Sequence, residues 1–106
     1  MFRPCLLIPT YNNPDTIRSV VVRSREHIAD VIVVDDGSSE EARRQCADLA
    51  RDGLAIVHHR SSNGGKGAAC KDGFRIAQEQ GFTHVIQADA DGQHDLRTAS
   101  DAALTG

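Results

Sequence analysis

The decisive stretch of this 106-residue sequence reads Val31-Ile32-Val33-Val34-Asp35-Asp36-Gly37. It opens with four consecutive β-branched residues, which is typical of a strand buried on both faces of a parallel sheet. The run ends directly in two carboxylates and a glycine, so the chain leaves the sheet through an acidic turn. The stretch therefore predicts a central strand with polar side chains at its carboxyl end.

Three other short apolar runs predict further strands, at Cys5–Ile8, Leu54–Val57 and His84–Ala88. Helix-like segments separate the runs, and the first of them begins with Asn13 as its N-cap and Pro14 in its first turn. Strands that alternate with helices indicate an α/β fold with a mostly parallel sheet of about four strands flanked by helices. The length suits a single domain.

Composition and charge exclude several classes of protein. The net charge is -3, from 12 basic and 15 acidic residues, so the chain lacks the basic character that nucleic-acid binding requires. No apolar stretch of the sequence approaches the length of a membrane span. The three cysteines, Cys5, Cys46 and Cys70, match no zinc or disulfide spacing. We therefore expect buried, reduced thiols and a cytoplasmic protein.

A pair of carboxylates follows the fourth predicted strand. Asp89 and Asp91 are separated by one residue, and in extended geometry their side chains point to the same side. Two like charges at that spacing repel unless a cation joins them, and Mg²⁺ or Mn²⁺ accepts such oxygen ligands together with substrate phosphates. Gln93 adds a carbonyl oxygen and His94 a nitrogen. The pattern predicts a metal site, with a solvated acidic turn as the alternative.

Two further clusters fall at strand ends. One of Asp35 and Asp36 can cap the next helix while the other projects into the cleft as a hydrogen-bond acceptor. Alternatively, both only form the turn together with Gly37. Lys66 lies in the glycine-rich segment Asn63–Gly67 at a helix start, where backbone amides and a cation favour phosphate, or it is simply a solvated turn residue. Because ligands bind at the carboxyl ends of parallel strands, these clusters predict one shared site.

Two other features are less specific. His58 and His59 are adjacent at the end of a predicted strand, so their side chains point to opposite sides and do not form a zinc pair. Tyr11, the only tyrosine, follows the first strand. Its ring either stacks on a nucleobase or packs against the helix below it.

Four short motifs follow one another along nearly the whole chain. They are Ile8-Pro9-Thr10-Tyr11-Asn12-Asn13, Val33-Val34-Asp35-Asp36-Gly37-Ser38, Asn63-Gly64-Gly65-Lys66-Gly67-Ala68-Ala69 and Gln87-Ala88-Asp89-Ala90-Asp91-Gly92-Gln93-His94. Their order and intervals resemble glycosyltransferase family 2, and the last block is similar to the polyprenyl-phosphate sugar transferases, which include the dolichyl-phosphate mannose synthases. The resemblance implies a GT-A fold, whose Rossmann-like sheet binds a nucleoside-diphosphate sugar. Residues 1–106 would then be a single nucleotide-sugar-binding domain, truncated before the acceptor-binding half.

The resemblance implies roles for individual donor-site residues. Pro9 and Tyr11 would contact the nucleobase region, and Asp36 would accept a hydrogen bond from the base. Lys66 lies in a loop that lines the donor cleft in relatives, and Asp89 would reach the ribose or the metal.

The implied cofactor is Mg²⁺ or Mn²⁺, held by Asp89, Asp91 and Gln93. Such a metal stabilises the departing nucleoside diphosphate while an acceptor oxygen attacks the anomeric carbon with inversion. The implied partners are a UDP- or GDP-sugar and an acceptor such as a polyprenyl phosphate or a glycan. A lipid-linked acceptor would place the protein at the cytoplasmic face of a membrane.

No catalytic residue is assigned, because the family's catalytic base lies C-terminal to the last motif and is expected beyond residue 106. One alternative is a catalytically incomplete fragment that binds nucleotide or self-associates through exposed sheet edges. A phosphatase of the haloacid-dehalogenase type, with Asp89 as nucleophile, is disfavoured because that motif normally closes the first strand. A receiver-like signalling domain built on Asp35 and Asp36 is disfavoured because such domains collect their acids from the first and third strands.

Overall fold

Four parallel strands form a single sheet in the computed structural model, which describes residues 1–90. The strands are β1 (Pro4–Thr10), β2 (Val31–Asp35), β3 (Ile56–His59) and β4 (His84–Gln87), and they lie in the order β3-β2-β1-β4. The helices are α1 (Ile17–Ser24), α2 (Glu40–Arg51) and α3 (Lys66–Glu79). The predicted α/β class and the parallel four-stranded sheet are confirmed. Asp91, Gln93 and His94 lie outside the described residues, as does the final helical segment that the sequence pattern predicts after Asp95 as its cap.

Both faces of the sheet are covered, which explains the continuous apolar runs of β1 and β2. Leu6 and Ile8 pack on the side of α1 and α2, whereas Cys5 and Leu7 pack on the side of α3. The four apolar residues of β2 alternate in the same way, and each is at most 2% exposed. Burying each such side chain contributes about 1.5–3 kcal/mol, which exceeds the roughly 1 kcal/mol span of strand propensity. Burial therefore fixes β2 as a central strand.

Strand β3 begins two residues later than the predicted start at Leu54. The reason is the end of α2, where Gly53 adopts φ +73°. There the Leu54 N–H donates to the Leu49 carbonyl at 2.9 Å and the Gly53 N–H donates to the Ala50 carbonyl at 3.1 Å. This pair of bonds is a Schellman motif, so Leu54 closes the helix and cannot begin the strand.

The first loop also differs from the prediction. Strand β1 continues past the predicted end at Ile8 and includes Pro9. Strand β4 pairs with β1 only as far as Leu7, so the missing N–H of Pro9 costs no hydrogen bond to β4. Asn13 is not the N-cap of α1, which begins at Ile17 after Thr16. The Asn13 side-chain amide instead donates to the Thr10 hydroxyl and the Tyr11 carbonyl, at 3.2 and 3.0 Å. Its side chain therefore braces the end of β1.

The three cysteines are buried free thiols, as predicted. Burial, with a smaller effect of Asp30, raises the pKa of Cys5 to about 12. Burial, with a smaller effect of Asp35, raises the pKa of Cys46 to about 12. Both side chains therefore remain protonated at neutral pH and behave as small apolar core residues.

Candidate functional site

A pocket of about 290 Å³ opens at the carboxyl ends of the strands. The chain runs from β1 outward through β2 and β3, then returns to place β4 on the other side of β1. Ligands of open α/β sheets bind at such a switch point, and this volume is near the lower end for small-molecule sites. The residues around the pocket are Pro9, Thr10, Tyr11, Asp36, Asn63, Gly65, Lys66, Ala69 and Asp89. The structure thus brings together all five predicted donor-site residues, whose roles in binding stay predictions.

The loops after β1 and β2 are joined by reciprocal hydrogen bonds. The Asn12 N–H donates to the Ser38 hydroxyl at 2.9 Å, and the Asn12 side-chain carbonyl accepts from the Ser39 N–H at 2.7 Å. Asn12 can do this because it adopts a left-handed conformation with φ 53°, which asparagine tolerates better than most residues. The bonds fix the backbone next to Tyr11, a residue that lines the pocket and is 49% exposed.

The loops after β2 and β3 touch backbone to backbone at Gly37. This glycine has φ +73°, and a Cβ atom there would lie only 2.4 Å from the Asn63 nitrogen. Both the left-handed backbone and the close approach therefore require glycine. The contact places Asn63 and Gly64 directly beside Asp36.

Asp36 is the centre of the pocket's polar wall, and it is only 3% exposed. One carboxylate oxygen accepts from the Gly64 N–H at 3.0 Å, and the other accepts from the Gly65 N–H at 2.8 Å and the Asn63 side-chain amide at 3.1 Å. The Arg60 Nε atom lies 2.8 Å from the first oxygen, an ion-pair distance without hydrogen-bond alignment. The Gly64 and Gly65 amides that could have met a phosphate thus already bind an internal carboxylate.

Asp35 has a different role from its neighbour. It is fully buried, it accepts from the Ser38 N–H at 3.1 Å, and its other oxygen lies 2.8 Å from the His59 Nδ1 atom. His58 points to the opposite side, where its Nε2 atom lies 3.5 Å from Asp72. The expectation that one aspartate caps the next helix is wrong, because the N-cap of α2 is Ser39 and Asp35 instead holds the turn before it. Asp36 does line the pocket, and the two histidines diverge as predicted.

A second ion pair crosses the pocket from α3 to the end of β4. The Lys66 Nζ atom lies 2.7 Å from an Asp89 carboxylate oxygen, with the two side chains 57% and 33% exposed. Beneath it, the Thr16 hydroxyl donates to the Ala90 carbonyl at 3.1 Å and so ties α1 to the same segment. The ammonium therefore occupies a position where a cation can neutralise Asp89.

Within residues 1–90, Asp89 is the one predicted ligand for a hard divalent ion. Asp89 offers a carboxylate oxygen of the kind that Mg²⁺ and Mn²⁺ prefer. Residues 1–90 contain no group of three or more His, Cys, Asp or Glu side chains that could hold a metal. The other two predicted ligands, Asp91 and Gln93, lie outside the described residues.

The residues that sequence reasoning missed are those that connect the loops, chiefly Asn12, Arg60 and Thr16. The contacts of Asn12 and Thr16 join segments 26 to 74 residues apart, and Arg60 joins the end of β2 to α3, so no local pattern reveals them. Asn12 and Asn63 do lie inside the quoted motifs, and their place there is the feature of the sequence that could have identified them.

Solved structures with similar folds define the class. A mannosyltransferase from Pyrobaculum calidifontis, in complex with GDP-Man and Mn²⁺, superposes with a TM-score of 0.70 at 22% identity. That match covers 84% of this chain and 27% of the other. The fold is therefore the Rossmann-like sheet of GT-A glycosyltransferases.

The sequence assigns the family. This chain belongs to glycosyl transferase family 2, whose model matches residues 5–100. It is 36% identical over 96 residues to an undecaprenyl-phosphate mannosyltransferase of Micrococcus luteus, and 35% identical over 96 residues to a polyprenol monophosphomannose synthase of Mycolicibacterium smegmatis. Each alignment covers 87% of this chain but only 39% and 36% of the relatives, respectively. The resemblance to the polyprenyl-phosphate branch is thus confirmed over a part of those proteins' length.

Proposed function

We propose that this chain forms the donor-binding part of an inverting glycosyltransferase that transfers mannose from GDP-mannose to a polyprenyl phosphate. The observation that carries the proposal is the convergence of Asp36, Lys66 and Asp89 on one pocket at the switch point of the sheet. The donor is suggested by the GDP-Man complex of the archaeal structure, and the acceptor by the names of the two curated relatives. A lipid-linked acceptor places the reaction at the cytoplasmic face of a membrane. Within residues 1–90, no helix is both long and apolar enough to span a bilayer.

Each wall of the pocket suits one part of such a donor. The exposed Tyr11 ring, next to Pro9, offers a flat surface on which a base can stack. The Lys66 ammonium suits the diphosphate, since it lies at the start of α3 where the helix dipole also favours negative charge.

The metal-binding end of the site is proposed to consist of Asp89, Asp91 and Gln93. A divalent ion bound there would neutralise the charge that develops on the departing diphosphate. Asp89 then holds the cation side of the site, while Lys66 exchanges its carboxylate partner for a phosphate oxygen.

Calorimetry tests the proposal directly. We expect GDP and GDP-mannose to bind the chain in the presence of Mn²⁺, and Asp89→Asn to abolish the metal-dependent part of the affinity. Asp30→Asn is the matched control, because it removes an exposed carboxylate next to the opposite, amino-terminal end of β2. If a folded sample binds neither nucleotide, or if both variants bind alike, the donor-site proposal is wrong. Binding without mannosyl transfer would instead favour a catalytically incomplete fragment.

Replacing Lys66 gives a second test, because we expect it to change the affinities for Mn²⁺ and for GDP in opposite directions. Lys66→Met removes the ammonium that neutralises Asp89, so Mn²⁺ alone should bind more tightly, by up to about five-fold for a partly exposed pair. GDP should bind more weakly, because the diphosphate loses a cation. Electron paramagnetic resonance of free Mn²⁺ measures the first effect and calorimetry the second. Two changes in the same direction would contradict the proposed exchange of partners.

A further inference from the structure

One hydrogen bond joins the start of α1 to the segment that carries the carboxylates of the last motif. The Thr16 hydroxyl donates to the Ala90 carbonyl at 3.1 Å, across 74 residues of sequence. Ala90 is the residue that separates Asp89 from Asp91. The bond therefore reaches the backbone at the centre of the predicted metal-binding motif.

The side chain of Thr16 does not serve its own helix. Thr16 is the N-cap of α1, a position where a threonine side chain commonly accepts a hydrogen bond from a backbone N–H of the first turn. Here the side chain makes no cap hydrogen bond, and its hydroxyl is directed to Ala90 instead. Removing the hydroxyl would therefore cost α1 no side-chain cap.

The backbone of Thr16 is itself fixed by the turn that precedes α1. The Ile17 N–H donates to the Asn13 carbonyl at 3.2 Å, and the Val20 N–H donates to the Thr16 carbonyl at 3.0 Å. Ile17 is 1% exposed and packs in the core on the side of α1 and α2. The hydroxyl of Thr16 is thus held in a defined place relative to the sheet.

Packing sets the direction of the Asp89 side chain. Ala88 and Ala90 are 0% and 5% exposed, and both belong to the core on the side of α1 and α2. Asp89 lies between them and faces the other side, where Lys66 at the start of α3 meets its carboxylate at 2.7 Å. The Ala88 N–H is held by the Leu7 carbonyl at 2.9 Å, whereas the Ala90 carbonyl is held by the side chain from α1. Asp89 is therefore held from both sides along the chain.

We infer that Thr16 is a positioning residue for the metal side of the donor site. Its hydroxyl holds the Ala90 carbonyl and so keeps the Asp89 carboxylate directed into the pocket. The same peptide group supplies the backbone nitrogen of Asp91, the next predicted ligand. This inference rests on the proposed function, because it assigns Thr16 a role in the proposed metal site.

Thr16→Val tests the inference, because valine keeps the shape of the side chain and removes the hydroxyl. We expect the variant to bind Mn²⁺ about two- to tenfold more weakly, as the loss of one such hydrogen bond predicts. Electron paramagnetic resonance of free Mn²⁺ measures this affinity. Thr16→Ser keeps a hydroxyl at the same position and should bind Mn²⁺ as the unaltered chain does. Unchanged affinity in Thr16→Val, or equal losses in the valine and serine variants, would overturn the inference.

Ser24→Ala is the matched control for a purely structural effect. Ser24 lies in the same helix, and its buried hydroxyl also donates to a backbone carbonyl, that of Val20, at 2.7 Å. Its removal should lower the midpoint of urea denaturation at least as much as Thr16→Val does, but it should leave the Mn²⁺ affinity unchanged. If Ser24→Ala weakens Mn²⁺ binding as much as Thr16→Val does, the effect comes from a less stable α1 and the positioning role is wrong.

Two further measurements make the result independent of one variant. If Thr16→Val does not fold, Thr16→Ala also removes the hydroxyl, and a similar loss of Mn²⁺ affinity is expected. The NMR chemical shift of the Ala90 carbonyl carbon needs no metal, because it responds to the hydrogen bond that the carbonyl oxygen accepts. We expect this shift to change when the hydroxyl is removed and to persist in Thr16→Ser. A carbonyl shift that is the same with and without the hydroxyl would contradict the inference.

The two proposals fail in different ways. If the unaltered chain binds no Mn²⁺, the proposed metal site is wrong, and so is the role of Thr16 in it. If the unaltered chain binds Mn²⁺ and Thr16→Val binds it equally well, only the inference about Thr16 is wrong.

Discussion

Gly37 marks the point where the loops after β2 and β3 meet, and replacing it with alanine should reveal what that contact is worth. Gly53, at the end of α2, provides the reference because it also has φ +73° but has no atom within 4 Å of an added Cβ. Alanine in a left-handed conformation costs about 1–2 kcal/mol, partly offset by about 0.4–1 kcal/mol from a less flexible unfolded chain. We expect Gly53→Ala to lower the free energy of unfolding by about 1 kcal/mol.

Gly37→Ala carries the same conformational cost and a steric one as well. The new Cβ would lie 2.4 Å from the Asn63 nitrogen, whereas ordinary contacts begin at 3.4 Å. The Ser62–Asn63 backbone must therefore move by about 1 Å. That shift carries the Gly64 and Gly65 amides out of hydrogen-bond range of Asp36, and each lost bond to a charged group costs about 1.5–3 kcal/mol. We therefore expect Gly37→Ala to lower the free energy of unfolding by about 3–6 kcal/mol more than Gly53→Ala does.

Urea denaturation followed by circular dichroism measures both variants against the unaltered chain. Both variants carry the same cost of a left-handed alanine and the same effect on the unfolded chain. The difference between their free energies of unfolding therefore gives the cost of separating the loops. Equal destabilisation by Gly37→Ala and Gly53→Ala would refute the claim that the loops are in close contact.

Two other predictions concern the core. Gly73→Ala places a Cβ 2.3 Å from Leu7, which is fully buried, so overpacking of about 1–3 kcal/mol should outweigh a helix-propensity gain of about 1 kcal/mol. In Gly67→Ala, in the same helix, the new Cβ meets nothing within 4 Å, so this variant should be stabilised by about 0.5–1 kcal/mol. If denaturation shows that both alanines stabilise the chain, or that both destabilise it, the packing of Gly73 against Leu7 is contradicted. Burial raises the pKa of Cys5 and of Cys46 from 9.0 to about 12. Because the folded chain holds these protons more tightly than the unfolded chain, the stabilisation that the two thiols give to the fold is complete below pH 9 and is lost as the pH rises from 9 to 12. Urea midpoints that do not fall over that pH range would show that these thiols are accessible.

Most of the fold could be predicted from the sequence, because continuous apolar runs and the alternation of strands with helices are visible in short stretches of sequence. The β-branched run of β2 predicted a central strand, and acidic or glycine-rich turns at the strand ends predicted one shared edge. The start of β3 was predicted wrongly because Leu54 is apolar like a strand residue, yet its N–H completes the α2 cap. Only the left-handed Gly53 distinguishes the two uses, and its conformation is not visible in composition.

The site was predictable in its members but not in its connections. Pro9, Tyr11, Asp36, Lys66 and Asp89 were named from motifs, and they surround one pocket. The three hydrogen bonds to the Asp36 carboxylate were not predictable, because they come from a loop that is 27 to 29 residues away along the chain. Sequence motifs identify the groups that approach a site, whereas the folded loops decide which groups remain available to a ligand.

The placement of β1 at the centre of the sheet has a consequence for the order of folding. Leu6 pairs with Val31, 25 residues later, and also with Ile86, 80 residues later. Closing the longer loop costs about 1 kcal/mol more chain entropy than closing the shorter one. Pairing of β1 with β2 is therefore expected to precede docking of β4, as contacts distant in sequence form slowly. Asp89 would then reach the pocket last, after Asp36 and its loop have already assembled.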